Sequence, residues 1–269
     1  MGTGTVYTIA SGKGGVGKTT FAVNFSAAVS SAEVDVVVVD VDFGMANLAD
    51  HLGISAETPT IHDVLADRSD LDAAIRSVDG TLSALPGAVD LTAFAEIDPD
   101  GLVELVDLAR ERFDVVVLDA GAGLNYETAL PLGLADGAVL VTTPTTSAVQ
   151  DTRKTAELAR RMQVKIDGLV VNRTTPRSRM SPDSIAENLD VRLLGSVPDS
   201  AAVEESLIAG EPVVTRAPRD GAADAIRSIA AEVTGYQIPR PVPVAPPSPP
   251  EPEESDTERG GLLARLFGR

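Results

Sequence analysis

The 269-residue sequence contains no cysteine and no tryptophan. Without cysteine there can be no disulfides, no thiolate metal sites and no cysteine-ligated iron–sulfur clusters. The absence also fits a reducing compartment. Aromatic residues make up only 3% of a chain that is 43% hydrophobic, so a core must be aliphatic, built from Val, Leu, Ile and Ala. Lysine is scarce: Lys13, Lys18, Lys154 and Lys165 are the only four, and arginine carries the remaining positive charge. Acidic residues outnumber basic ones 40 to 22, which gives a net charge of -18. A surface of that sign repels nucleic-acid phosphates unless a basic patch overrides it. No basic run is present, so nucleic acid is not an expected partner. An Asp-rich, Lys-poor surface suits hydration in concentrated salt, and a salt-loving source is expected. Thermal unfolding should then hold or rise in temperature as KCl approaches molar levels, and a steady fall would sink that expectation. The N-terminus lacks a basic stretch followed by a long apolar run, and no segment approaches the length of a membrane-spanning helix. Residence in the cytoplasm is expected.

What is present is an alternation of strand-like and helix-like segments from Val6 to about Val233. Strands are expected at Val6–Ala10, Val34–Asp40, Phe113–Asp119, Ala138–Thr143, Ile166–Asn172 and Val191–Val197. Helices are expected at Lys18–Ser30, Asp100–Arg112, Thr146–Met162 and Ala222–Val233. The strands are too uniformly apolar to have a solvent face. Such strands, alternating with helices, predict an α/β fold: a doubly wound, mostly parallel sheet with helices on both faces. Composition changes after Tyr236. Eight prolines fall between Pro239 and Pro252, followed by Glu253, Glu254, Asp256 and Glu258. The sequence thus divides into a folded domain over 1–236, a Pro- and acid-rich linker expected to be disordered over 237–259, and a short tail over 260–269. At about 3.1 Å per residue the linker could span roughly 60 Å.

The run Gly12-Lys13-Gly14-Gly15-Val16-Gly17-Lys18-Thr19 has the spacing of a phosphate-binding loop, with a strand expected before it and a helix starting within it. Its glycines allow positive φ and close approach of the backbone to phosphate oxygens. The N–H groups converge at a helix N-terminus, where anions are favoured. Lys18 can reach the β- and γ-phosphates, the Thr19 hydroxyl can ligate Mg²⁺, and Thr20 is placed to meet the α-phosphate. Two of the chain's four lysines fall in this one loop.

Three aspartates sit at or just after expected strands: Asp40 and Asp42 in Val-Asp-Val-Asp-Phe-Gly-Met-Ala-Asn-Leu, and Asp119 in Leu-Asp-Ala-Gly-Ala-Gly. In an open parallel sheet the carboxyl ends of the strands form the ligand-binding rim. All three are therefore expected on the same rim as the phosphate loop. One carboxylate acting through water is enough for Mg²⁺, and phosphoryl transfer also needs a group that orients the attacking water.

The run Lys13–Thr20 resembles the deviant Walker A motif of the MinD/ParA family of P-loop ATPases, and within it the archaeal MinD-like proteins. The resemblance implies ATP and Mg²⁺ as cofactors, with weak, partner-stimulated hydrolysis. It also implies an ATP-dependent homodimer in which the extra lysine, here Lys13, reaches the partner's phosphates. It further implies that Asp40 contacts the metal shell, that Asp42 lies by the hydrolytic water, that Asp119 is the Walker B aspartate and that Gly123 is the switch glycine near the γ-phosphate. Gly121 departs from the pattern, where many relatives have proline. In the family an asparagine at the position of Asn172, followed here by Arg173, reads adenine, and a loop matched by Pro198-Asp199 closes over the base. A guanine-specific box is absent after Asn172, which favours ATP over GTP.

The tail places Leu262, Leu263, Leu266 and Phe267 on one side of a short helical pattern, with Arg259, Arg265 and Arg269 elsewhere around it. That is the pattern of an interfacial membrane helix, and it resembles the membrane-targeting tail of MinD. The expected function is a cycle between cytosolic monomer and dimer on the inner face of the cell membrane, positioning the division site or polar motility or chemosensory assemblies, with a further protein partner as activator. A ParA-like ATPase that partitions DNA or cargo, and an adaptor that uses ATP only to dimerise, are the alternatives.

Overall fold

The computed structural model describes residues 4–57, 59–88 and 99–241. The tail over 260–269 and all but the first residues of the linker lie outside them. Eight strands form one sheet: β1 (Thr5–Ser11), β2 (Val36–Val41), β3 (Arg76–Asp79), β4 (Leu82–Leu85), β5 (Val115–Ala122), β6 (Gly137–Thr142), β7 (Ile166–Thr174) and β8 (Leu193–Pro198). Their spatial order is β3-β4-β2-β5-β1-β6-β7-β8. All neighbours pair in parallel except β3 and β4, which form an antiparallel hairpin at one edge.

Alternate residues on the central strands point to opposite faces, and both faces are covered. Val36, Val38, Val115 and Val117 pack under α1 (Lys18–Ser30) and the C-terminal helix of the domain, Gly221–Thr234. Val37, Val39, Val116 and Leu118 face the other way, onto Leu102 and Leu105 of the Pro99–Arg112 helix. Under the β6–β7 half of that second face lie Val149, Ala156 and Ala159 of Thr146–Arg161 and Ile185 and Leu189 of Pro182–Leu189. Taken in chain order, the helices among the described residues are α1, α2 (Leu48–Leu52), α3 (Ile61–Leu65), α4 (Leu71–Ala74), α5 (Pro99–Arg112), α6 (Tyr126–Leu134), α7 (Thr146–Arg161), α8 (Pro182–Leu189), α9 (Ala201–Ala209), α10 (Val213–Arg216) and α11 (Gly221–Thr234).

The expected fold class is the observed one. The differences lie at strand ends and in short elements. Strands expected to stop at Asp119 and Asn172 run on to Ala122 and Thr174, because Ala122 still pairs with Ser11 and Thr174 with Pro198. Asp40, Asp119 and Asn172, expected as the last residues of their strands, sit one to three residues inside them. The β3–β4 hairpin and helices α2–α4, α6, α8, α9 and α10 were not anticipated.

Candidate functional site: the nucleotide cleft at the strand ends

The loop between β1 and α1 owes its path to missing side chains. Gly15 and Gly17 sit at φ 77° and 86°, the left-handed region that favours glycine. A Cβ on Gly12 would overlap the backbone of Asp151 in α7, and one on Gly17 would overlap the Asn172 side chain. Asn172 braces the loop: its Nδ2 donates to the Val16 carbonyl at 2.8 Å, while its Oδ1 accepts from the Arg173 N–H at 2.9 Å. Both of its polar atoms are thus engaged in holding the protein's own backbone.

Below the loop, β2 and β5 set Asp40 and Asp119 directly side by side. Asp119 is fully buried, and its Oδ1 accepts from Lys18 Nζ at 2.7 Å. Lys18 Nζ also stands 3.8 Å from Asp42 Oδ2. Asp119 Oδ2 is buried and makes no hydrogen bond. An unshared carboxylate oxygen beside the first turn of α1, which carries Thr19, fits the demand of Mg²⁺ for a few hard oxygens. Asp40 spends its oxygens on backbone: Oδ1 accepts from Asp42 N at 3.2 Å, and Oδ2 from Asn47 N and Leu48 N at 3.1 Å each. It thereby anchors both roots of the loop that carries Asp42 and caps the start of α2. Burial, reinforced by the charge of Asp119, pushes its pKa up to about 7 despite those N–H bonds. Burial also raises the pKa of Asp42. Lys18 opposes that rise, while Asp119 and Glu127 add to it.

Lys18 and Asp42 open on a cleft of about 400 Å³, lined also by Lys13, Thr19, Asn125 and Glu127 among others. Lys13 stands exposed at the rim, its Nζ donating to Ser147 Oγ at 2.9 Å. A smaller adjoining cavity brings together Thr20, Asn172, Arg173, Pro198 and Asp199, so the residues expected around the base share one wall. Gly123, at φ 99°, lies where β5 ends. A larger cavity of about 580 Å³ opens at the far end of α1, beside Ser30, Thr81 and Pro212. None of the motif residues reaches it.

Three participants were missed from sequence. His51 Nε2 lies 3.2 Å from Thr20 Oγ1 on the cleft wall. Ser147 is the partner of Lys13. Glu127, in the first turn of α6, bonds across to the loop after β2. Only Asn125, a helix N-cap two residues before Glu127, offered a local signal for α6.

A glycine-bent phosphate loop, its lysine paired with a strand-end aspartate, and a second carboxylate loop beside it define a P-loop nucleotide-binding protein of the doubly wound type. The chain belongs to the CobQ/CobB/MinD/ParA nucleotide-binding domain family, which it matches over residues 7–213. It is 34% identical to an uncharacterized ATP-binding protein of Methanocaldococcus jannaschii over 84% of this chain and 86% of that one. Its fold superposes on the cell division ATPase MinD of Pyrococcus furiosus with a TM-score of 0.81 at 33% identity, covering 87% of this chain and all of the other. The septum site-determining protein MinD of Pyrococcus horikoshii, solved with Mg-ADP, superposes with a TM-score of 0.80 at 33% identity, over 86% and 96% of the two chains. ATP and Mg²⁺ are the cofactors expected of this family.

Proposed function

We propose that this chain is a MinD-like ATPase that alternates between a monomer and an ATP-bound homodimer and uses that alternation to attach to a membrane and position cellular structures. The observation that carries the reading is the placement of Lys18 between Asp119 and Asp42, 2.7 and 3.8 Å away, at the floor of the cleft. A lysine held by carboxylates is stored for an anion. On nucleotide binding it can turn to the β- and γ-phosphate oxygens, with the loop N–H groups fixing the rest of the chain of phosphates. Its departure frees Asp119 for the Mg²⁺ shell, together with the Thr19 hydroxyl. Mg²⁺, when bound there, would supply charge neutralisation at the phosphates. Asp42, on the opposite lip, can orient the attacking water, and Asp40 fixes the loop that carries it. Thr20 and the wall formed by Asn172, Arg173, Pro198 and Asp199 are assigned to the α-phosphate and the base.

Dimerisation is supported by what surrounds the opening. Met45 is 75% exposed, Leu124 56% and Tyr126 49%, and all three flank loops of the site. Apolar side chains gathered at a charged mouth suit burial against a second copy. Lys13, exposed at the rim of the cleft, would then cross into the partner's site.

The tail completes the reading. Four apolar side chains at roughly 1.5–3 kcal/mol each set an upper bound that ordering costs largely offset. One tail would therefore hold a membrane only marginally. Two tails on one dimer act at high effective concentration and bind far better. Deleting Leu262–Arg269 should abolish ATP-dependent sedimentation with anionic vesicles and leave ATP turnover in solution within about twofold. Unchanged sedimentation would end the membrane assignment.

A further inference from the structure

We propose that Glu127 is a positioning residue for hydrolysis. It clasps the loop carrying Asp42 to the loop after β5, so that the two lips of the cleft hold one spacing. The inference rests on the ATPase reading above and goes beyond it to a residue outside the motifs.

Glu127 makes two bonds in opposite directions. Its Oε1 accepts from the Gly44 N–H at 3.0 Å, at the tip of the Asp42 loop. Its Oε2 accepts from Asn125 Nδ2 at 2.9 Å. Asn125 in turn accepts from the Thr128 N–H through Oδ1 at 3.2 Å, and Thr128 Oγ1 donates to the Gly121 carbonyl at 2.9 Å. A continuous path therefore runs from Gly44 through Glu127, Asn125 and Thr128 into the last residues of β5, two positions beyond Asp119. The Asp42 loop is thus hung at three points, its two roots on Asp40 and its tip on Glu127. Gly121 explains how the glutamate gets there. A Cβ at Gly121 would stand 2.7 Å from Glu127 Cβ and 3.2 Å from its Oε2. The missing side chain at Gly121 is the space that the clasp occupies.

Glu127 brings a negative charge toward a cleft that takes polyphosphate, so its presence needs a purpose. Holding Asp42 at a fixed offset from Lys18 is one that the geometry provides. Positioning acts on the chemical step more than on nucleotide affinity.

Three variants of the full chain test this. Glu127→Ala should accelerate hydrogen exchange at the Gly44 amide in nucleotide-free protein by on the order of tenfold, as expected for loss of a charge-assisted bond. It should lower kcat by about tenfold while KM for ATP stays within twofold. Glu127→Gln keeps an acceptor for Gly44 and should retain both the protection and most of kcat. Gly121→Ala reaches the same clasp from the other side, and should speed Gly44 exchange with the glutamate still present. Gly44 exchange unchanged in both Glu127→Ala and Gly121→Ala overturns the proposal, as does a kcat loss equal in Glu127→Gln and Glu127→Ala. The exchange readout needs no nucleotide. A chain with no ATP turnover would defeat the functional reading, while exchange would still judge the clasp.

Discussion

Lys18→Ala is expected to remove ATP turnover, by on the order of 10³-fold or more, and to destabilise the nucleotide-free protein as well. The first effect follows from the charge that the transferring phosphoryl group needs at that point of the loop. The second follows from what Lys18 does in the absence of nucleotide. Its side chain is 7% exposed and Asp119 is fully buried, so the pair is largely withdrawn from water at the floor of the cleft. Removing one member of a buried pair typically costs about 3–5 kcal/mol, because the other charge is left without compensation. Asp42 stands beside the same ammonium, 3.8 Å away, and adds to the uncompensated charge. In a domain of this size the shift corresponds to a fall in Tm of roughly 10 °C. Lys18→Arg should keep more of the stability than of the activity, since a planar guanidinium can pair with Asp119 but does not fit a loop shaped for a point charge. Phosphate release and thermal unfolding without Mg²⁺ or nucleotide separate the two effects. Full ATPase activity in Lys18→Ala would falsify the assignment of the site. An unchanged Tm would deny the buried pair its part in holding the empty loop.

The contrast between Lys18 and Glu127 shows what was legible before the fold was known. The phosphate loop announces itself locally, because glycines at fixed offsets and a lysine are needed to make the backbone turn and meet an anion. The strands were legible because burial on both faces forces continuous Val, Leu and Ile runs, as in Val36–Val39 and Val115–Leu118. That same burial hid where they end: Asp119 reads as a break in hydropathy, yet its backbone remains in the ladder with β1 and β2. The short helices α2–α4 carry four or five residues each, too few for a 3.6-residue period to emerge. Asp40 caps α2 from the far end of a loop, a contact that no local pattern records. Glu127 belongs to the same category. Its partner Gly44 lies 83 positions away, and the space it needs at Gly121 shows only in three dimensions. Asn172 had a local signal and an expected role at the base, and the structure adds the Val16 contact that the strand-end context did not reveal.

Asp42→Ala should separate binding from chemistry in the opposite sense to Lys18→Ala. Asp42 is only partly buried on the lip of the cleft and contributes a carboxylate 3.8 Å from Lys18 Nζ. Its loss leaves the Lys18–Asp119 pair intact, so the fold and the phosphate loop should be kept. It also removes a negative charge facing the place where the phosphates sit, so affinity for Mg-ATP should be unchanged or tighter. Hydrolysis has no such relief. With no group on that lip to orient the attacking water, turnover should fall by on the order of 10²–10⁴-fold, the range usual for loss of a positioned acid–base or orienting group. A protein that binds ATP and does not hydrolyse it accumulates in its ATP-bound form. If that form is the dimer, Asp42→Ala should elute as a stable dimer with ATP and as a monomer with ADP, whereas the wild type should drift from dimer to monomer as ATP is consumed. Asp42→Asn should behave like alanine in turnover and like the wild type in stability, since the amide keeps the size but not the charge that aligns water. Weaker ATP binding in Asp42→Ala would move Asp42 from the water to the phosphates. A monomer in saturating ATP would show that the apolar rim of Met45, Leu124 and Tyr126 serves a partner other than a second copy of this chain.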